Sequence, residues 1–364
     1  MKFSIITVCL NSEQTIEQTI QSVVRQEYDD YEYIIIDGGS TDGTQEILDK
    51  YKENIALMIS EPDDGIYDAM NKGVALASGE VIGIINSDDW YEPGVLEMVR
   101  QCFQESDGEV VYGRANIIRD DGEIEVQIPD DIEKIRYEMG IPHPTVFIKK
   151  DIYRKFGGFQ QKYKIAADYD LMLRLYIKGV RFICLNQVLA NFRYGGVSVC
   201  QGRRTTEETL EISQNYFSYA PLSIRKTLKD IITHRCEAFY FEKILEDSPN
   251  TLIDILMTKL GVGVSDNIAI FGAGKWGMKM YDTLLRKEMK PVLSIDNNEK
   301  KWSRSDGGRI VSSPESLRSF KGILLIMVRE YSKDILQQVE GICNSEIYCI
   351  TWNDIAAGCM MTER

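Results

Sequence analysis

Residues 80–93 read EVIGIINSDDWYEP. The apolar run from Val81 to Ile85 has the length and composition of a buried strand. It stops at Asn86-Ser87-Asp88-Asp89, so two adjacent carboxylates stand where such a strand would surface. Like charges side by side raise one another's pKa unless a cation compensates them. Taken alone, the pair also reads as acidic decoration of a helix start beside Pro93. The flanking chain decides between the two.

Upstream, the same punctuation recurs. KFSIITVCL (2–10) is an apolar strand, and Asn11 or Ser12 can cap a helix carrying Ile16, Ile20, Val23 and Val24. YEYIIID (31–37) is a second strand, followed by the turn GGSTDG and a helix with Ile47, Leu48 and Tyr51. IALMIS (55–60) is a third, followed by PDDG and a helix through MNKGVALA. After the fourth strand, Pro93 fits the first turn of a helix that buries Val95, Leu96, Val99 and Phe103. Near-continuous apolar strands alternating with helices predict a parallel α/β sheet.

Downstream, residues 110–129 read as a hairpin around Asp120-Asp121-Gly122 and 141–149 as a strand. Residues 165–179 read as a helix closed by Gly179, and 180–196 as a strand. Helical spacing dominates 203–260, and GVGVSD (261–266) is a joint. The expected organisation is an α/β domain over 1–202, a helical linker region over 203–264 and a smaller α/β domain over 265–364.

Ligands bind open α/β sheets at the carboxyl ends of the strands. Here those ends carry Asp37, then Glu61-Pro62-Asp63-Asp64-Gly65, then Asn86-Ser87-Asp88-Asp89. Such an acid-rich rim suits a divalent metal that completes its shell with substrate phosphates. The net charge of −14 over 364 residues argues against a nucleic-acid partner, which needs basic surface. Eight scattered cysteines without CxxC spacing, and only two histidines, point to reduced thiols and no cysteine-histidine metal site. The reduced thiols imply a cytoplasmic chain, and since no apolar run approaches the ~20 residues that span a bilayer, any membrane contact must be peripheral.

KFSIITVCLN, IIIDGGSTDGT and NSDDWY occur in this order, with EPDDGIYDAMNKG (61–73) between the last two. Together they resemble the GT-A fold of family 2 glycosyltransferases over residues 1 to about 200. The match extends to the subgroup with the motif EPDxGIYDAMNKG, whose members mostly build bacterial O-antigen, capsule or exopolysaccharide repeat units. The resemblance implies an inverting transfer from a nucleotide-sugar, commonly a UDP-sugar, to a glycan or a sugar on a polyprenyl diphosphate. It implies that Thr7, Val8, Asn11, Asp37 and Asp63 hold the nucleoside, with Asn71 nearby. It implies an Mn2+ or Mg2+ ion at Asp88 and Asp89, beside Asn86 and Ser87; Asn86 replaces the first acid of the family's DxD motif. Asp168 holds the position of the catalytic base, with Ala167 where the family commonly has Glu. His143 is placed near the donor diphosphate or acceptor, and Arg193 and Ser198 in a segment that folds over the diphosphate. The same context implies peripheral membrane contact, for which Lys149, Lys150, Arg154, Lys155 and the stretch 203–260 are candidates.

A second motif stands apart. Gly272-Ala273-Gly274-Lys275-Trp276-Gly277 follows a strand and opens a helix, and Asp296 ends the next strand 19 residues after Gly277. That is the setting of a Rossmann-like nucleotide site, with Gly272, Gly274, Gly277 and Asp296 as its residues. The same glycines also serve close helix–strand packing. A donor-sugar sensor or an NAD(P)-linked oxidoreductase is the alternative reading for the chain.

Overall fold

The alternating apolar strands and amphipathic helices form two compact units, Met1–Ile232 and Thr233–Arg364. The structure is a computed structural model and describes residues 1–119, 121–196, 201–289, 291–302, 305–306, 309–328, 332–342 and 346–361. Asp120 and Ser198 lie outside the described residues.

The first unit runs β1 (Phe3–Cys9), α1 (Ile16–Val24), β2 (Tyr31–Asp37), α2 (Thr44–Lys50), β3 (Leu57–Ser60), α3 (Ile66–Leu76), β4 (Val81–Asn86), β5 (Trp90–Tyr91) and α4 (Val95–Glu105). It continues β6 (Val110–Ile118), β7 (Ile124–Gln127), β8 (Phe147–Lys149), α5 (Lys150–Phe156), α6 (Ala167–Ile177), β9 (Phe182–Arg193) and α7 (Gly202–Tyr216). Strand order is β3-β2-β1-β4-β8-β6-β9-β5, with β7 on β6. The expected parallel pairing holds for β3, β2, β1 and β4. Beyond β4 the sheet is mixed, because β8 runs antiparallel to both β4 and β6.

Both faces of the sheet are covered. Ile6, Val8, Ile34 and Ile36 pack on one side, and Ile5, Tyr33, Ile35 and Ile85 on the other. This accounts for apolar runs without alternation. The register aligns the strand ends: Cys9 lies opposite Asp37, Asp37 opposite Ser60, and Val8 opposite Asn86. Three polar strand ends therefore share one edge.

Local expectations are corrected in places. Thr15, not Asn11 or Ser12, is the N-cap of α1, and it makes no side-chain capping bond. Helix α4 begins after Gly94, whose φ of 75° suits glycine, so Pro93 precedes the first turn. In 141–149 only Phe147–Lys149 is strand; His143–Thr145 is a single 3-10 turn, since Pro142 and Pro144 lack the N–H a ladder needs. Helix α7, read from the sequence as the start of a linker, packs on α6: Ile212 is buried with Leu171 and Leu175, and Tyr169 Oη lies 2.9 Å from Ser213 Oγ.

The second unit begins within α8 (Arg225–Asp247) and continues α9 (Pro249–Thr258), β10 (Ile268–Phe271), α10 (Lys275–Leu285), β11 (Pro291–Ile295), β12 (Ser305–Asp306), β13 (Arg309–Ser312), β14 (Gly322–Ile326), α11 (Ser332–Ile342), β15 (Ile347–Thr351) and α12 (Trp352–Met360). The order β12-β13-β11-β10-β14-β15 puts β10 at the centre, parallel to β11 and β14. Gly272 has φ 103°, and a Cβ on Gly277 would lie 1.8 Å from the Gly272 carbonyl oxygen. Gly277→Ala is thus expected to force α10 off β10 and destabilise this unit by about 3 kcal/mol, read by denaturant unfolding.

Candidate active site

Three groups of side chains collect at the carboxyl edge of the first sheet. The first surrounds the turn after β2. Asp37 is fully buried, and Ser40 and Ser60 hydroxyls donate to its two oxygens at 2.5 and 2.6 Å. The Ser40 N–H also donates to both oxygens. Asn11, at φ 50°, accepts the Thr41 N–H at 2.8 Å and gives its own N–H to Ser40 Oγ. Asp63 lies across this turn: a Cβ on Gly38 would stand 2.6 Å from Asp63 Oδ2. Gly38 thereby lets a carboxylate from the loop after β3 cover the loop after β2. Asp42 stands just before α2, whose N-cap is Gly43, and its Oδ1 accepts the Thr44 N–H at 3.0 Å.

The second group is the end of β4. Ser87 Oγ meets Ser12 Oγ at 2.7 Å, which joins this edge to the end of β1. Asp88 and Asp89 diverge. Asp88 is half-buried, and burial raises its pKa, opposed in part by the Arg193 charge. Asp89 is fully buried; burial and then the Asp88 charge push it well above the ordinary carboxylate range. Asp89 Oδ1 accepts the backbone N–H of Arg193 at 3.1 Å, so Asp89 ties the end of β9 to β5. Arg193 stacks over Trp90, with its guanidinium carbon 5.2 Å from the ring centre, and Nη2 donates to Gln18 at 2.9 Å.

Asn86 Oδ1, Asp89 Oδ2 and Arg193 Nε are buried without a hydrogen-bond partner among the described residues. Unpartnered buried polar atoms are costly. Two oxygens of this kind beside the half-buried Asp88 carboxylate are the hard donor set that Mg2+ or Mn2+ takes, and the orphaned guanidinium N–H suits a phosphate oxygen. Among the described residues no three His, Cys, Asp or Glu side chains group to hold a metal. A cation here would therefore depend on substrate oxygens as well.

The third group lies at the start of α6. Asp168 Oδ1 accepts from Tyr67 Oη at 3.1 Å and from the Tyr169 N–H at 2.9 Å. The Tyr67 hydroxyl also donates to the Ile165 carbonyl at 2.6 Å. Burial, then the Asp168 charge, raises the Tyr67 pKa well above the ordinary phenol value, so it remains a donor. His143 sits nearby, its ring 6.1 Å from that of Phe159. Burial lowers the His143 pKa against the opposing pull of Asp168, which favours the neutral imidazole. Asp170 faces inward instead, accepting from Tyr216 Oη at 3.0 Å and pairing with Arg174.

Three expected donor residues are buried or have other partners. Thr7 is fully buried in β1 and its hydroxyl accepts from Tyr33 at 3.0 Å, which leaves no surface for a ligand. Val8 is buried in the same strand on the opposite face. Both ends of the Asn71 amide pair with the Phe159 backbone at 2.9 Å, which clips the 157–159 loop to α3.

Tyr67 and Glu208 escaped the sequence reading. Tyr67 lies inside the quoted motif EPDDGIYDAMNKG. Glu208 carries no local signal beyond Arg204 four residues earlier in RRTTEETLEISQ (203–214). Its carboxylate accepts the backbone N–H groups of Lys164, Ile165 and Ala166 at 2.9–3.0 Å, immediately before α6. Burial alone would raise the Glu208 pKa, but these donors outweigh it and hold it below 4.5. Its stabilising effect is thus fully present above 4.5 and lost as pH falls through the lowered folded value. Glu208→Gln is expected to flatten the acid limb of a melting-temperature profile. Glu208→Ala is expected to cost about 3 kcal/mol by leaving buried N–H groups unsatisfied.

Residues 4–168 match the family model Glycosyl transferase family 2. A PGL/p-HBAD biosynthesis glycosyltransferase of Mycobacterium bovis is 30% identical over 183 residues, which is 48% of this chain and 69% of that protein. The chain belongs to glycosyl transferase family 2. This glycosyltransferase also resembles solved structures in fold. S. aureus TarS 1-349 in complex with UDP-GlcNAc aligns at TM-score 0.55 and 18% identity, covering 70% of this chain and 80% of that one. The mannosyltransferase PcManGT of Pyrobaculum calidifontis, in complex with GDP-Man and Mn2+, aligns at TM-score 0.52 and 17% identity, covering 72% and 76%. The GT-A-like fold is thereby established, and the comparisons lend no support to the sensor or oxidoreductase readings. Residues 264–348 of the glycosyltransferase match a separate model, C2185-like, N-terminal. No described helix is long and apolar enough to cross a membrane.

Proposed function

We propose that this glycosyltransferase performs an inverting single displacement with a UDP-sugar donor. The observation that carries the reading is the half-buried Asp88 beside the unpartnered buried oxygens of Asn86 and Asp89. Asp88 would hold a divalent ion, with Asn86 and Asp89 behind it. When bound, Mn2+ or Mg2+ supplies charge neutralisation to the leaving diphosphate. Arg193 hydrogen-bonds the diphosphate oxygens, for which its free Nε is suited. Asn11 and Asp63 flank the nucleoside, and Asp37 braces the turn beneath them.

Asp168 accepts the proton of the acceptor hydroxyl as that oxygen attacks the anomeric carbon. The bond from the anomeric carbon to the diphosphate breaks on the opposite face, and the nucleoside diphosphate leaves. Tyr67 orients the carboxylate, and burial keeps the nearby His143 neutral. An α-linked donor then gives a β-linked product. The acceptor we assign is a glycan or a polyprenyl-diphosphate-linked sugar, in polysaccharide biosynthesis at the cytoplasmic membrane face.

The test is a screen of UDP-, GDP- and dTDP-sugars for metal-dependent nucleotide release. Release restricted to UDP-sugars, and abolished by EDTA, is expected. Equal release without metal would overturn the assignment of Asp88. Flotation with anionic liposomes checks membrane contact, and chain left at the bottom of the gradient would refute it.

A further inference from the structure

The second unit contains a cavity of about 770 Å³ that the transfer chemistry does not use. It opens at the carboxyl ends of β10, β11 and β14, where the strand order reverses about β10. In open α/β sheets that switch point is where ligands bind. The volume lies within the range of ligand pockets and far exceeds a single phosphate.

The three glycines of its turn have different reasons to be glycine. Gly272 has positive φ, and a Cβ there would meet Val328 at 2.6 Å. Gly277 is excluded from carrying a Cβ by the Gly272 carbonyl. Gly274 is unlike both: its backbone is extended, and a Cβ would meet nothing within 4 Å. Neither backbone conformation nor internal packing requires glycine at 274, yet this residue lines the cavity. A bare backbone facing an open cavity is what close approach of a phosphate group uses.

Charge at the turn agrees. The first turns of α10 and α11 both line the cavity, and their leading N–H groups have no intrahelical partner. Lys275 stands at the start of α10, exposed. Lys301 reaches the turn itself, with Nζ 3.3 Å from the Ala273 carbonyl and 2.8 Å from Asp296 Oδ2. Asp296 also accepts the Ala273 and Asn298 N–H groups at 2.8 Å, which hold its pKa down together with Lys301 despite burial. Asp296 thus shapes the glycine turn, its carboxylate engaged by Lys301 and two backbone N–H groups. Glu242 and Asp334 are the other acids on the lining, and an anionic ligand must sit away from them. Phe271, Trp276, Met327 and Ile335 supply an apolar wall for a base or sugar.

We propose that this cavity is a second nucleotide site, which takes a nucleoside diphosphate with its phosphates on the Gly272–Trp276 turn between Lys275 and Lys301. The proposal does not depend on the transfer site. Equilibrium dialysis of the full chain with radiolabelled UDP and ADP, with Mn2+ and with EDTA, tests it. With Mn2+, two UDP per chain are expected, or one ADP, since the transfer site takes UDP. In Asp88→Ala one remains, insensitive to EDTA. Gly274→Val and Lys301→Gln are each expected to weaken that remaining binding tenfold or more, with melting temperature confirming that the unit is folded. If wild type binds a single nucleotide that Asp88→Ala abolishes, or if both substitutions leave the residual binding intact, the proposal is overturned. Binding of NAD to this site without UDP or ADP would also overturn it, in favour of a dinucleotide. Persistence of the EDTA-insensitive site in a chain without sugar transfer would separate this site from the transfer reading.

Discussion

Asp168→Asn is expected to lower kcat for sugar transfer by roughly 10²–10⁴-fold, the usual contribution of a positioned general base. Asparagine has the same shape and still accepts the bonds from Tyr67 Oη and the Tyr169 N–H. It cannot take up a proton. The helix start stays in place, held by Glu208 on the three preceding N–H groups. The change therefore separates chemistry from capping: donor KM and melting temperature should move little while kcat collapses. Full turnover in the variant would reduce Asp168 to a structural role. Tyr67→Phe gives a graded control, because it removes one bond to the carboxylate and leaves the base itself.

The second large effect concerns the adjacent acids. Asp88→Ala is expected to reduce turnover by roughly 10²–10³-fold, the scale of losing one electrostatic stabiliser of a leaving group. Raising the Mn2+ concentration should recover little of it. Asp89→Asn should behave differently. Asp89 is fully buried, and its pKa is raised by burial and by Asp88. A carboxyl raised in the folded state supports stability below its ordinary value of 3.8 and loses that support as pH rises through the folded value. The neutral amide removes that loss and keeps an oxygen for the Arg193 N–H. Asp89→Asn should then melt higher than wild type at neutral pH in EDTA. A lower melting temperature would show that the buried charge is compensated in a way the Arg193 contacts do not account for.

Much of this glycosyltransferase was legible in one dimension. Strand identity followed from apolar runs such as Tyr31–Asp37 and Val81–Asn86, because burial on both faces of a parallel sheet removes alternation. The position of the acids followed from the same runs, since each marks where a strand leaves the core. Family resemblance then pointed to Asp88, Asp89 and Asp168, whose roles are proposals that the substitutions above test. The 141–149 segment departs from its apolar pattern because Pro142 and Pro144 deny a ladder the N–H groups it needs.

Sequence alone determined which residues crowd the carboxyl edge, since that depends only on strand length and local burial. It could not determine which of two neighbouring carboxylates faces outward, because Asp88 and Asp89 differ only in how β5 and β9 close over them. It could not pair Tyr67 with Asp168, or Glu208 with the N–H groups before α6, since these partners are 101 and 42–44 residues apart. Nor could it tell Gly274 from Gly272 and Gly277. That distinction rests on what a Cβ would meet, and only the folded chain places neighbours there or leaves the space open.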